Sequence, residues 1–390
     1  MAKKPDKPAP KKSAKPISAK ANTPSARAGK SAKPTGAATT KAPQQIEAKP
    51  LPRLPTLGLD AIIGQDEAIA TLRRAMASGR LHHAWVFEGT AGVGKFTTAL
   101  AFARLALRPA EGDADEADLH VITKELASVS RDAKVRDGKQ RNIAKAVLDE
   151  FLIEPATRTR VGRPGSMATR AFLIDEAELI EDAGQNSLLK TLEEPPVGSL
   201  IVLVTSRPDR LLATIRSRCQ RVAFTPLDPP SMGRWLQTLD LSGLDAAARD
   251  WLLTFSGGSP GMAALALSSG LTQWHATLTP MLAEADHGRF PLSFGASAVK
   301  LLSGWSEAWV EANPSASKDA ANKAAARLLF RMLHEHYRAR ARRAPQASAR
   351  AIERVARAER FAEAGVQPIF VLDDLAAGLA SIGASAASEG

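Results

Sequence analysis

The stretch 84–97 constrains this chain more than any other. An apolar run, Ala84-Trp-Val-Phe87, leads into Gly89-Thr90-Ala91-Gly92-Val93-Gly94-Lys95-Phe96-Thr97, and a helix is predicted from Gly94 to about Leu107. Strand, glycine-rich turn and helix in this order make a P-loop, in which backbone N–H groups wrap phosphates at a helix N-terminus and the lysine reaches the β/γ-phosphates. The position after the lysine ordinarily carries a Ser or Thr hydroxyl for Mg²⁺. Here it is Phe96, whose ring cannot ligate a hard cation, and Thr97 comes one position late. The segment therefore predicts a nucleotide-binding fold whose own hydrolysis step is impaired. ATP is expected as a weak or unhydrolysed ligand, and the Mg²⁺ requirement stays open.

The pattern around the loop predicts an α/β domain with a mostly parallel sheet. Two more buried strands are expected at Ala171-Phe-Leu-Ile174 and at 200–204, and a last one at Arg221-Val-Ala-Phe224. Helices are expected at 65–78, at 142–151 and before Pro195-Pro196, while 108–118 and 158–165 suit loops. Strands alternating with helices are covered on both faces. Beyond Pro226 no strand pattern appears. Two or three short helices are expected over 230–285, and longer amphipathic ones from 290 to 381, the last starting at Pro368.

Composition matters mainly through where the charge lies. The net charge is +11, but residues 1–50 hold 12 Lys/Arg and 2 acids, a balance of +10, which leaves about +1 for the rest. That tail of Lys, Ala, Pro and Ser predicts disorder, and it either touches nucleic acid weakly or simply solubilises the chain. A single cysteine, Cys219, rules out an internal disulfide and a multi-cysteine zinc site. No run of eighteen apolar residues and no signal-peptide core is read, so an intracellular, cytoplasmic protein with no membrane partner is expected.

Three further positions carry chemistry. Phe172-Leu-Ile-Asp175-Glu176 is a strand ending in two carboxylates about eighty residues after Lys95; at a P-loop the first holds Mg²⁺ and the second polarises water. Thr205-Ser206, ending the next strand, would sit near a γ-phosphate as a polar sensor, with a capping hydroxyl as the plainer alternative. Arg218, in Ser217-Arg-Cys219, follows a helix expected at 211–215. It lies at the domain edge, where a guanidinium reaches a neighbour's nucleotide better than its own. His334 and His336 lie two apart and do not share a helix face. His82 and His83 are expected to pack or cap, Arg338–Arg343 to form a solvated face, and Trp305 and Trp309 to be core.

Asp175-Glu-Ala-Glu, Asn186-Ser-Leu-Leu-Lys-Thr-Leu-Glu-Glu-Pro-Pro196, Thr214-Ile-Arg-Ser-Arg-Cys219 and Arg80-Leu-His-His-Ala-Trp-Val-Phe87 together closely resemble the bacterial clamp-loader AAA+ subunits of DNA polymerase III. The segment 367–375 resembles them less specifically. The departures matter. The tau/gamma ATPases carry a four-cysteine zinc module, a hydroxyl after the lysine and a lid arginine, whereas this chain has one cysteine, Phe96 and Gly258-Ser-Pro-Gly261. The resemblance is therefore to the delta-prime type, a stator. It implies a tail and linker (1–58), an AAA+ domain (59–226), a helical lid (227–285) and a helical collar (286–390). It also implies Arg218 as a trans-acting arginine finger, and tau/gamma and delta subunits as partners. The beta sliding clamp and primed DNA would be met through the complex. An active tau/gamma-type ATPase is the alternative.

Overall fold

The computed structural model describes residues 57–107, 118–138, 141–158, 165–312 and 317–389. Residues 1–56 of the expected tail and linker (1–58), most of the expected loop at 108–118 and residues 159–164 of the other lie outside the described residues.

Five parallel strands form one sheet: β1 (Ala84–Gly89), β2 (Leu119–Ile122), β3 (Arg170–Ile174), β4 (Ser199–Thr205) and β5 (Gln220–Phe224), in the order β2-β3-β4-β1-β5. Registers such as Val86↔Leu203 and Phe172↔Ile201 align the three central strands. Every residue of β3 and β4 is buried, as expected of strands covered on both faces. At the edge, β5 turns Gln220, Arg221 and Ala223 outward, so polar and small side chains guard its open hydrogen-bonding side. The other edge, β2, escapes sequence reading: it is four residues long and includes His120, which stacks on Phe172 of β3.

Helices α1 (Asp66–Ala77), α2 (Lys95–Leu107), the single turns α3 (Ala133–Arg136), α4 (Lys145–Leu148) and α5 (Glu154–Thr157), then α6 (Asp182–Glu193) and α7 (Ala213–Arg216) complete this part. The helix expected at 142–151 is instead α4 and α5 joined by a π-turn, Asp149–Ile153. The core on one sheet face joins Val86, Phe172, Ile174, Ile201 and Leu203 to Leu148, Leu152 and Leu188.

From Pro229 onward every regular element is helical. Four helices stand where two or three are expected: α8 (Pro229–Leu236), α9 (Ala246–Ser256), α10 (Pro260–Ser268) and α11 (Leu271–Asp286). Asp228, Asp245 and Ser259 start α8, α9 and α10 with side-chain caps, which is why breaks too short to read as loops still end helices. Then come α12 (Phe294–Ala312), α13 (Lys318–Arg340), α14 (Pro345–Glu363) and α15 (Pro368–Glu389). One apolar cluster runs through both helical groups, from Leu252 and Phe255 through Trp274 and Leu278 to Leu329, Leu375 and Leu379.

Pro368–Ser388 is long and apolar enough on average to cross a membrane by length and composition, although Asp373 and Asp374 interrupt its apolar run. In the fold its Val371, Leu372, Leu375 and Leu379 are buried in that shared cluster. Nor is the 338–343 run merely a solvated face: Arg340 reaches the carboxylate of Asp286 on α11, and Arg338 pairs with Glu335 at 2.8 Å. His334 and His336 turn apart, toward Glu359 and Asp286 respectively.

Candidate functional site

The P-loop follows β1, and the acid pair follows β3, at the carboxyl ends of the strands. Gly89, Thr90, Ala91, Gly92, Val93 and Gly94 make the turn, and Lys95 opens α2. Lys95 is buried, and its ammonium donates to the carbonyls of Gly89 (2.7 Å) and Thr90 (2.6 Å) and to Ser206 Oγ at 3.2 Å. All three of its protons thus meet protein acceptors. Burial lowers its pKa against the opposing pull of Glu178 and Asp175.

Asp175 sits in the same cavity, its pKa raised by burial and by the neighbouring Glu176 and Glu178 charges. Glu176 has φ +48°, the one positive φ of a non-glycine among the described residues. Its carboxylate pairs with Lys124, which follows β2 on the side of β3 away from the P-loop. Burial works against the Lys124 charge, but Glu176 and the nearby acids hold its pKa above the usual value. The carboxylate expected to polarise water is thus engaged elsewhere.

The donor set does not fit Mg²⁺. Phe96 fills the hydroxyl position, Thr97 lines the cavity one step later, and Glu176 is held by a lysine. Among the described residues, no group of three or more His, Cys, Asp or Glu is placed to hold a metal.

The lid touches the loop directly. The Gly261 N–H donates to the Gly92 carbonyl at 2.7 Å, and Ser259 Oγ donates to the Ala91 carbonyl at 3.0 Å. Gly92 has φ +78°; a Cβ there would meet Ser259 Oγ at 2.5 Å, and a Cβ on Gly261 would meet Gly92 Cα at 2.7 Å. The two segments pack at a distance that only paired glycines permit.

Sequence reading misses several residues here. Gln65 is buried and donates to Val93 O (3.0 Å) and Thr225 O (2.8 Å), tying the loop to the end of β5. A glutamine heading a surface helix gives no hint of this. Glu178 accepts from the Ser206 N–H at 3.2 Å. Ile62, Ile63, Trp235 and Ala264 give the cavity, about 660 Å³, an apolar wall suited to a flat base. Thr205 lines it too, but its hydroxyl accepts from the Arg207 N–H at 3.0 Å, the capping geometry, while the adjacent Ser206 meets Lys95.

Arg218 lies at the other end of the sheet. It precedes β5, beside His82 and His83, which precede β1. His82 caps Ala84 and His83 meets Leu192 O, so both take packing roles. About five residues of β1 separate this rim from the P-loop, roughly 16 Å at strand rise. Arg218 is half-exposed, pairs with Glu193 at 2.6 Å and donates to Thr214 O at 3.0 Å. Burial pushes the neighbouring Cys219 thiol up to about 12, so it is no nucleophile.

A five-stranded parallel sheet with a P-loop after β1, an acid pair after β3 and a helical lid on the loop defines a P-loop domain of the AAA+ class. Residues 64–228 match the family described as DNA polymerase III, delta subunit. The DNA polymerase III subunit gamma/tau of Mycobacterium bovis is 31% identical over 208 residues, 51% of this chain and 34% of that protein. The DNA polymerase III subunit delta' of Bacillus subtilis is 32% identical over 179 residues, 46% of this chain and 53% of that protein. A solved RuvB Holliday junction branch migration motor of Thermotoga maritima aligns with 55% of this chain and 64% of its own at 18% identity and TM-score 0.39. Over residues 64–228 the chain is similar to the clamp-loader AAA+ subunits of DNA polymerase III, and it spans between a third and about half the length of the gamma/tau and delta' relatives cited.

Proposed function

We propose that this chain is a delta-prime-type clamp-loader subunit: a cytoplasmic stator that supplies Arg218 to the nucleotide of an adjacent tau/gamma subunit. Its own P-loop grips phosphates weakly at most and turns nothing over. The AAA+ domain (59–226), lid (227–285) and collar (286–390) serve the nucleotide fold, its closure and ring assembly with tau/gamma and delta. Through that ring the beta sliding clamp is opened and closed on primed DNA. One observation carries the reading: Phe96 stands at the metal position while Gly261, with no side chain, is seated on Gly92. The rim position of Arg218, a strand length from its own loop, supports the trans-acting role.

The test is reconstitution with tau/gamma and delta, followed by phosphate release and clamp loading on primed DNA. The isolated chain should release no phosphate above background, and omitting it should abolish loading by the complex. Steady turnover by the isolated chain, lost in Lys95→Ala, would instead establish the tau/gamma-type reading. That alternative draws on the intact glycine loop, the retained Lys95 and the gamma/tau relatives.

A further inference from the structure

A cavity of about 1060 Å³ lies away from the nucleotide site, along α13 between α12 and α14 with the end of α10 at its rim. Its walls follow helix periodicity. Ala324, Arg327, Leu328, Arg331, Glu335 and Arg338 form one i, i+3, i+4 stripe on α13, and Trp305, Ala308, Trp309 and Ala312 form another on α12. The stripe on α13 spans 15 residues, about 21 Å at helical rise, the length of a further helix of roughly four turns. Trp305 and Trp309, expected in the core, are half-buried instead and stack on each other at 6.1 Å along this groove.

The charges on the groove are unevenly matched. Arg338 is paired with Glu335, and His334 faces Glu359 at 3.4 Å. Arg327 and Arg331, one turn apart, have no carboxylate within ion-pair distance among the described residues. Both residues are exposed, and packing beside the groove walls still lowers the pKa of Arg331 although Glu335 opposes it. Two neighbouring guanidiniums without a carboxylate of their own favour carboxylates supplied from outside.

We infer that this groove is a docking site for an acidic amphipathic helix of a partner protein, its carboxylates on Arg327 and Arg331 and its apolar face on Trp305 and Trp309. This is helix-in-groove recognition, with aromatic and arginine anchors. The chain's own tail is the wrong sign, with 12 Lys/Arg against 2 acids in residues 1–50. Nucleic acid is disfavoured because Glu335 and Glu359 interrupt the cationic stripe, which a helix with a few spaced carboxylates can avoid and a continuous run of phosphates cannot.

The test uses the full-length chain as bait for a phage-displayed library of random 16-residue peptides. Enriched peptides should carry an Asp/Glu excess with Leu, Phe or Trp at three- and four-residue spacing. A synthetic copy of the leading peptide should change tryptophan emission, weaken as salt rises, and lose at least tenfold in affinity to Arg327→Glu/Arg331→Glu. Both substitutions are at exposed positions, and an unchanged melting temperature confirms that the fold is intact. Enrichment without acidic bias, or affinity unchanged in the folded double variant, overturns the inference. So does tighter binding of a dT16 oligonucleotide at the same arginines, or acidic peptides that bind only after residues 1–56 are removed, which would make the tail the occupant.

Discussion

The two ends of the sheet are built on opposite plans. At the carboxyl end, Lys95 is satisfied by its own loop, Glu176 by Lys124, and the Gly92 carbonyl by Gly261, so the groups that would meet a nucleotide already meet one another. At the amino end, Arg218 is half-exposed and held only by one surface carboxylate and one carbonyl. Breaking the first set disturbs packing; breaking the second costs little. Chemistry that depends on a partner is better served by the loosely held group, which can exchange Glu193 for a phosphate without unfolding anything.

The largest effect expected from this contrast is at the open end. Arg218→Ala should leave assembly intact and lower DNA-stimulated ATPase and clamp loading of the reconstituted complex, by as much as roughly 10³–10⁵ if that interface limits the cycle. A mutant complex that assembles and works at the normal rate would erase the contrast. At the closed end, Gly92→Ala forces a side chain into a left-handed backbone against Ser259, at about 1–3 kcal/mol. Thermal unfolding should register this as a melting point lower by several degrees, partly recovered by adding Ser259→Ala, which removes the clashing hydroxyl.

Asp175 sharpens the comparison through pH. Its folded pKa is raised, so folding favours the protonated acid, and the folded state is penalised as pH climbs above the ordinary aspartate value of about 3.9. At pH 7 Asp175→Asn should therefore stabilise the chain by about 0.5–2 kcal/mol, and the gain should vanish toward pH 3.5. Melting curves at the two pH values decide it; a loss of stability at pH 7 would mean that the lysines around Asp175 need its charge. The smallest effect belongs to Glu193→Gln. An exposed ion pair is worth about 0–1 kcal/mol, so the melting point should hardly move, while a large drop would show that Arg218 is anchored after all.

What the sequence makes legible is local. The glycine loop, the apolar runs of β1, β3 and β4, the prolines after α6 and the start of α15 at Pro368 each carry their signal within a few residues. What escapes depends on partners far along the chain. Lys124 acquires meaning only when the sheet sets it beside Glu176, 52 residues later, and Gln65 only when β5 arrives, 160 residues later. Trp305 and Trp309 have the spacing of core residues, yet α13 leaves them bordering a groove, because periodicity reports a shared face and not what covers it. The shared apolar cluster of the lid and collar segments is likewise invisible to a reading that divides the chain at composition shifts.

The glycine pair at 92 and 261 also bears on how such a chain can change over time. With Gly261 pressed on the loop backbone, a new side chain at 261 has no room until the lid first backs away, and the lid cannot back away without giving up the hydrogen bonds at Gly92 and Ala91. A hydroxyl introduced at position 96 would still face a Glu176 carboxylate already paired with Lys124. Rebuilding the site therefore needs changes at both places, because a side chain at 261 does not restore the position at 96. The contact behaves as a lock on the loop: the two glycines admit each other and nothing larger.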